Sequence, residues 1–127
     1  MLRNAGSTAR FANAESGRPE FSVMGTEQYH EPPAELSADI RTIVRILTSL
    51  QEEAEAIGWY EQRMSVETDQ EARAIMENAQ HEEFKHFGMD LEFVLRRRPT
   101  FRKELQGILF TQGDIVSKAN AAEEATE

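Results

Sequence analysis

Ile43-Val44-Arg45-Ile46-Leu47-Thr48-Ser49-Leu50-Gln51-Glu52-Glu53-Ala54-Glu55-Ala56-Ile57-Gly58-Trp59-Tyr60 decides the fold. Taken in alternating steps of three and four, the run gives Ile43, Ile46, Leu50, Glu53, Ile57 and Tyr60, and the same steps reach Met64. That spacing lays these side chains along one stripe of an α-helix. Every member but Glu53 is apolar or aromatic. Ser37 is placed to cap the helix and Asp39 suits its first turn, so it is predicted from about Leu36 to about Met64.

Beyond it, Ser65 to Gln70 is a polar connection in which Thr68 and Glu71 have capping-box spacing. A second helix is expected from about Asp69 to Arg97, ended by Pro99, with Arg96, Arg97 and Arg98 opposing its negative C-terminus. Thr100 is placed to cap a shorter third helix to about Phe110, closed near Gly113, and Asp114 to Ala119 add a turn or two. Residues 1–33 carry scattered Gly, Ser, Asn and Arg up to Pro32-Pro33 and read as a disordered extension. Met24 offers a second start within it, and the acid-poor Arg3, Arg10 and Arg18 also suit an organellar leader. Residues 34–119 form the helical domain, and 120–127 a flexible acidic tail.

The fold class is therefore all-α: an antiparallel two-helix hairpin plus a short third helix. Each long helix would run roughly 40 Å at 1.5 Å per residue. So elongated a pair encloses little core, and a chain without cysteine has no disulfide to compensate. Association with a second copy, completing a four-helix bundle, resolves this.

The same bulk properties exclude several functions. A net charge of −9 disfavours nucleic acid as a partner and suits a protein that attracts cations. The absence of cysteine removes thiolate metal sites, iron–sulfur clusters and thiol nucleophiles, leaving Glu, Asp and His as side-chain ligands. No apolar run is long enough to span a membrane.

Glu53 then requires an explanation. On the second helix the three–four steps give Ala72, Met76, Ala79, Glu83, His86 and Asp90. Glu83 and His86 thus share the inner face one turn apart, opposite the middle of the first helix. Converging buried carboxylates are costly unless paired, protonated or bound to a cation. Residues at i and i+3 on a helix can ligate one ion, and di-iron bundles use a Glu from each of two helices plus a Glu-x-x-His from each of the other two. This chain offers one clear set: Glu53, Glu83 and His86. A whole site would need two chains about a two-fold axis. A structural Glu–His pair, or Glu53 paired with Arg63, remains the alternative.

Gln51-Glu52-Glu53-Ala54-Glu55-Ala56-Ile57-Gly58-Trp59-Tyr60-Glu61-Gln62-Arg63, His81-Glu82-Glu83-Phe84-Lys85-His86, Leu91-Glu92-Phe93-Val94-Leu95-Arg96-Arg97 and Leu109-Phe110-Thr111 together resemble the encapsulated ferritins. The resemblance covers about residues 30–116. It implies a ferritin-like four-helix bundle made by dimerisation, a di-iron ferroxidase centre shared between two subunits, and a ring of five such dimers. It also implies the encapsulin shell protein as partner, with a cytoplasmic location inside that nanocompartment. The family's centre maps onto Glu53, Glu83 and His86, its outer metal-entry carboxylates onto Glu52 and Glu55, and its gating aromatic onto Trp59, with Tyr60 beside the centre. Gly58 and His81 depart from the family's usual residues, and its C-terminal encapsulation tag is not visible after Asn120. A manganese- or peroxide-using rubrerythrin-like enzyme and a non-enzymatic helical adaptor are the competing functions.

Overall fold

The Ser37 hydroxyl accepts a hydrogen bond from the Ile40 amide at 3.2 Å and starts the first long helix, α1, Ala38–Val66. A single 3-10 turn, Pro33–Glu35, precedes it. The structure is a computed structural model and describes residues 28–127. The expectation for the N-terminal extension falls largely outside those residues. All described secondary structure is helical, as the periodicity predicts.

Residues 67–69 join α1 to α2, Gln70–Arg97. The cap is not the one expected. Asp69 rather than Thr68 takes the N-cap position, and its carboxylate accepts from the Ala72 amide at 2.9 Å. An aspartate caps as well as a threonine and adds negative charge at the positive helix end.

Two ties fix the antiparallel register of α1 and α2. Near the open end of the hairpin, Arg98 Nη2 lies 3.4 Å from Asp39 Oδ2. Towards the connection, the buried Gln80 amide donates to the Ile57 carbonyl at 3.2 Å and to Glu61 Oε1 at 2.7 Å. Both place residue 53 level with residue 84. The seam positions of both helices are buried or half-buried and none is exposed.

Pro99 opens the next helix, α3 (Pro99–Ile108), where its missing amide costs no hydrogen bond. A turn with Phe110 at φ 59° and Gly113 at φ 88° follows. The acid-rich C-terminus then departs from expectation. A fourth helix, α4, spans Ile115–Glu124, so the segment read as a flexible tail is helical through Glu124. Asp114 caps it, accepting from the Ser117 amide at 2.8 Å and its hydroxyl at 2.7 Å. α4 packs on α3, where Lys103 donates to the Ala125 carbonyl at 2.8 Å.

That contact depends on a missing side chain. A Cβ on Gly107 would sit 2.7 Å from the Ala122 Cβ and 3.4 Å from its Cα. Neither neighbour is the end of a flexible chain, so the helices would have to separate. Gly107→Ala is expected to destabilise the docking of α4 by about 1–3 kcal/mol, offset in part by alanine's better helix propensity. Hydrogen exchange should show faster exchange across residues 115–124 in the variant, with α1 and α2 unchanged.

The apolar core of the described chain is small. Ile43, Val94, Leu95 and Ala122 are its buried members, while Ile40, Leu47, Trp59, Phe84 and Met89 are exposed. No described helix is long and apolar enough to cross a membrane.

Candidate metal centre

The register set by Gln80 and Arg98 brings the middle of α1 against the second half of α2. Glu53 therefore faces the turns that carry Glu83, His86 and Asp90. Glu53 Oε2 is buried, and among the described residues it accepts no hydrogen bond from an N–H or hydroxyl group. Its carboxyl is pushed up to about 7 from an ordinary 4.5. Burial is the main cause, followed by a hydrogen bond with Asp90 and then repulsion from Asp90, Glu83 and Glu52. The contact with Asp90 needs a shared proton, because two ionised carboxylates have no donor between them.

Glu83 and His86 lie together on the seam. His86 Nδ1 is 3.8 Å from Glu83 Oε2, too far for a hydrogen bond and an ion pair only if the imidazole is protonated. Their side chains are 43% exposed for His86 and 25% for Glu83, so His86 retains an open side. Glu52 is exposed but close enough to act on Glu53, whereas Glu55 is half-buried and is not among the groups that shift it. Trp59 and Tyr60 sit farther along α1 beneath one cation. The Arg63 guanidinium lies 5.9 Å from the Trp59 ring centre and 5.4 Å from that of Tyr60. Arg63 is thus engaged with aromatic faces, and among the described residues neither it nor any other cation forms an ion pair with Glu53.

Asp90 stands on the second seam trace four residues after His86, and its place among apolar neighbours is the signal the sequence carries for it. Its Oδ2, like Glu53 Oε2, is buried and accepts from no N–H or hydroxyl group among the described residues.

Among the described residues, no three His, Asp or Glu side chains are grouped closely enough to hold a metal ion within one chain. Glu53, Glu83, Asp90 and His86 supply suitable donors on one face, and buried oxygens without protein partners suit a cation. The donor chemistry fits a metal, while one chain brings only part of a coordination shell.

The acid pair makes the metal-free fold sensitive to pH. Glu53 keeps its proton in the folded chain up to about 7, but loses it near 4.5 when unfolded. Stability is therefore complete below about 4.5, falls as pH rises through the window to 7, and levels off above it. The loss has an upper limit of about 3 kcal/mol at 1.4 kcal/mol per unit, before discounting for solvent at this half-buried group. Melting metal-free protein at about pH 5 and about pH 8 should show this fall, and Glu53→Gln should flatten it.

A family profile described as EncFtn-like matches residues 28–112. A "Ferritin-like protein" of Thermotoga maritima is 43% identical over 89 residues, covering 70% of this chain and 78% of that protein. An "Encapsulated ferritin-like protein" of Rhodospirillum rubrum is 37% identical over 105 residues, covering 83% of this chain and 74% of that one. A crystal structure of a Nitrosomonas europaea protein superposes with a TM-score of 0.67 at 42% identity, covering 70% of this chain and 98% of the other.

Proposed function

The chain belongs to the EncFtn-like family of ferritin-like proteins, and from that premise we propose that it oxidises Fe(II) to Fe(III) at a site completed by a second copy of itself. Glu53, Glu83 and His86 of each chain hold two ferrous ions as substrate. The electrons pass to dioxygen or peroxide, and Fe(III) leaves as a precursor of stored mineral. Glu52 and Glu55 gather cations at the edge of the site, and Trp59 and Tyr60 wall its approach. The dimer joins others in a ring of five, and the assembly works inside an encapsulin shell in the cytoplasm. The name of the Rhodospirillum rubrum relative supports the shell as partner.

The observation that carries this reading is the Glu53 carboxyl. One of its oxygens is buried, it lies against other acids, and among the described residues no cation pairs with it. Leaving such a group in place costs stability unless another charge returns it. A pair of divalent ions supplies that charge, and the carboxylates in turn favour the more highly charged ferric state. The small core supports the shared site, since Leu47, Trp59 and Phe84 stand exposed among the described residues and a partner chain would cover them. A purely structural Glu83–His86 pair accounts for the 3.8 Å approach but leaves the facing Glu53 and Asp90 carboxyls without a cation among the described residues.

The test is Fe(II) oxidation in air by the assembled protein, followed by ferric absorbance against a protein-free control. A rate above the control supports the function, and an equal rate with either dioxygen or peroxide as oxidant overturns it.

A further inference from the structure

We propose that Asp90 supplies a further carboxylate to the same cation site, making its donor set oxygen-rich and shifting its preference towards Mn(II) and away from Zn(II). This rests on the site reading above and extends its ligand set.

Asp90 follows His86 by four residues and Glu83 by seven, which keeps all three side chains on one face of α2. Its Oδ2 and Glu53 Oε2 are both buried, and among the described residues neither accepts from an N–H or hydroxyl group, leaving the two carboxyls only the proton they share. The ion pairs nearby are made by other residues: Lys85 with Glu82, and Arg96 and Arg102 with Glu92. Among the described residues no cation neutralises Asp90. Leu91 and Val94 flank it, and an apolar side chain at 90 would extend their packing without any electrostatic penalty. A carboxylate there gains no cation within the described chain, and it lies against a second carboxyl, that of Glu53.

A bound cation reverses that balance, because it satisfies both orphaned oxygens at once. The choice of ion follows from ligand type. Imidazole suits zinc, copper, iron and nickel alike, whereas each added carboxylate favours harder ions such as manganese. Three carboxylates and one imidazole from each chain therefore discriminate against zinc more strongly than two carboxylates and one imidazole. Asparagine at 90 keeps the shape and removes the charged donor.

The experiment is calorimetric titration of metal-free, full-length protein with Mn(II) and separately with Zn(II), using wild type, Asp90→Asn, Asp90→Glu and Glu53→Gln. Asp90→Asn should weaken Mn(II) binding by about ten- to a hundredfold and Zn(II) binding by clearly less. Asp90→Glu should recover part of the loss. Unchanged Mn(II) affinity in Asp90→Asn, with binding lost in Glu53→Gln, overturns the role of Asp90 and leaves the site reading intact. Wild-type binding by Glu53→Gln overturns both. Equal weakening of the two metals overturns the selectivity. Melting of the metal-free variant separates packing from ligation: removing a buried like charge should leave its melting temperature at or above wild type, and a lower value assigns Asp90 to packing and overturns the proposal.

Discussion

Glu53→Ala and His86→Ala proteins are expected to oxidise Fe(II) no faster than buffer, a loss of about a hundredfold or more, since even residues that only support a metal ligand cost ten- to a hundredfold when removed. Each substitution acts twice in the proposed dimer, deleting a donor from both halves of the site. The two differ in what they do without metal. Removing Glu53 also removes the acid pressed against Asp90, so that variant should fold at least as stably as wild type. Removing His86 takes away a partly open side chain with no hydrogen bond in the described chain and should leave stability nearly unchanged. Loss of oxidation with an intact melt assigns both residues to chemistry. Variants that oxidise iron as fast as wild type would remove Glu53 and His86 from the mechanism.

The second large effect concerns assembly. With four buried apolar side chains, the described chain has little core of its own. Its melting temperature should therefore rise with protein concentration, as expected when folding and association are coupled. Divalent cations should raise it further, because ions held between two chains stabilise the pair. At a hundredfold excess over Kd the gain is about 2.7 kcal/mol, on the order of 10–20 °C for a domain of roughly this size. Glu53→Ala should lose the response to metal but keep the response to protein concentration. A melting temperature independent of both would overturn the shared site, whereas one that follows concentration alone would separate the interface from the metal.

Much of this was legible in the sequence because a helix repeats its exposed and covered faces at a fixed interval. The trace from Ile43 to Met64 fell on buried or half-buried positions throughout, and so did the trace from Ala72 to Asp90. Helix boundaries were close at Ser37, while α3 starts at Pro99 without the cap expected from Thr100. They were ambiguous where two stood together, and Asp69 displaced Thr68. The fourth helix was foreseen only in its first turns, for a different reason. Its contact is between Gly107 and Ala122, and such small residues make no hydrophobic stripe, while Glu123 and Glu124 look like a solvated end. Asp90 was only half legible. It lay on the traced line, but only the side chains opposite reveal that its oxygen accepts from no N–H or hydroxyl group among the described residues.

The Gln80 tie constrains how chains of this kind can change in length. Its amide grips Ile57 and Glu61, so it fixes which turn of α2 meets Glu53. Residues 67–69 lie beyond that grip, on the side away from the acids. A residue gained or lost there can be absorbed by the loop. One inserted between Gln80 and Glu83 would turn Glu83, His86 and Asp90 together by about 100° and advance them by about 1.5 Å relative to the tie. Insertions and deletions should therefore accumulate in the connection and after α2, while the stretch from Glu53 to Ile57 and from Gln80 to Asp90 drifts by substitution alone.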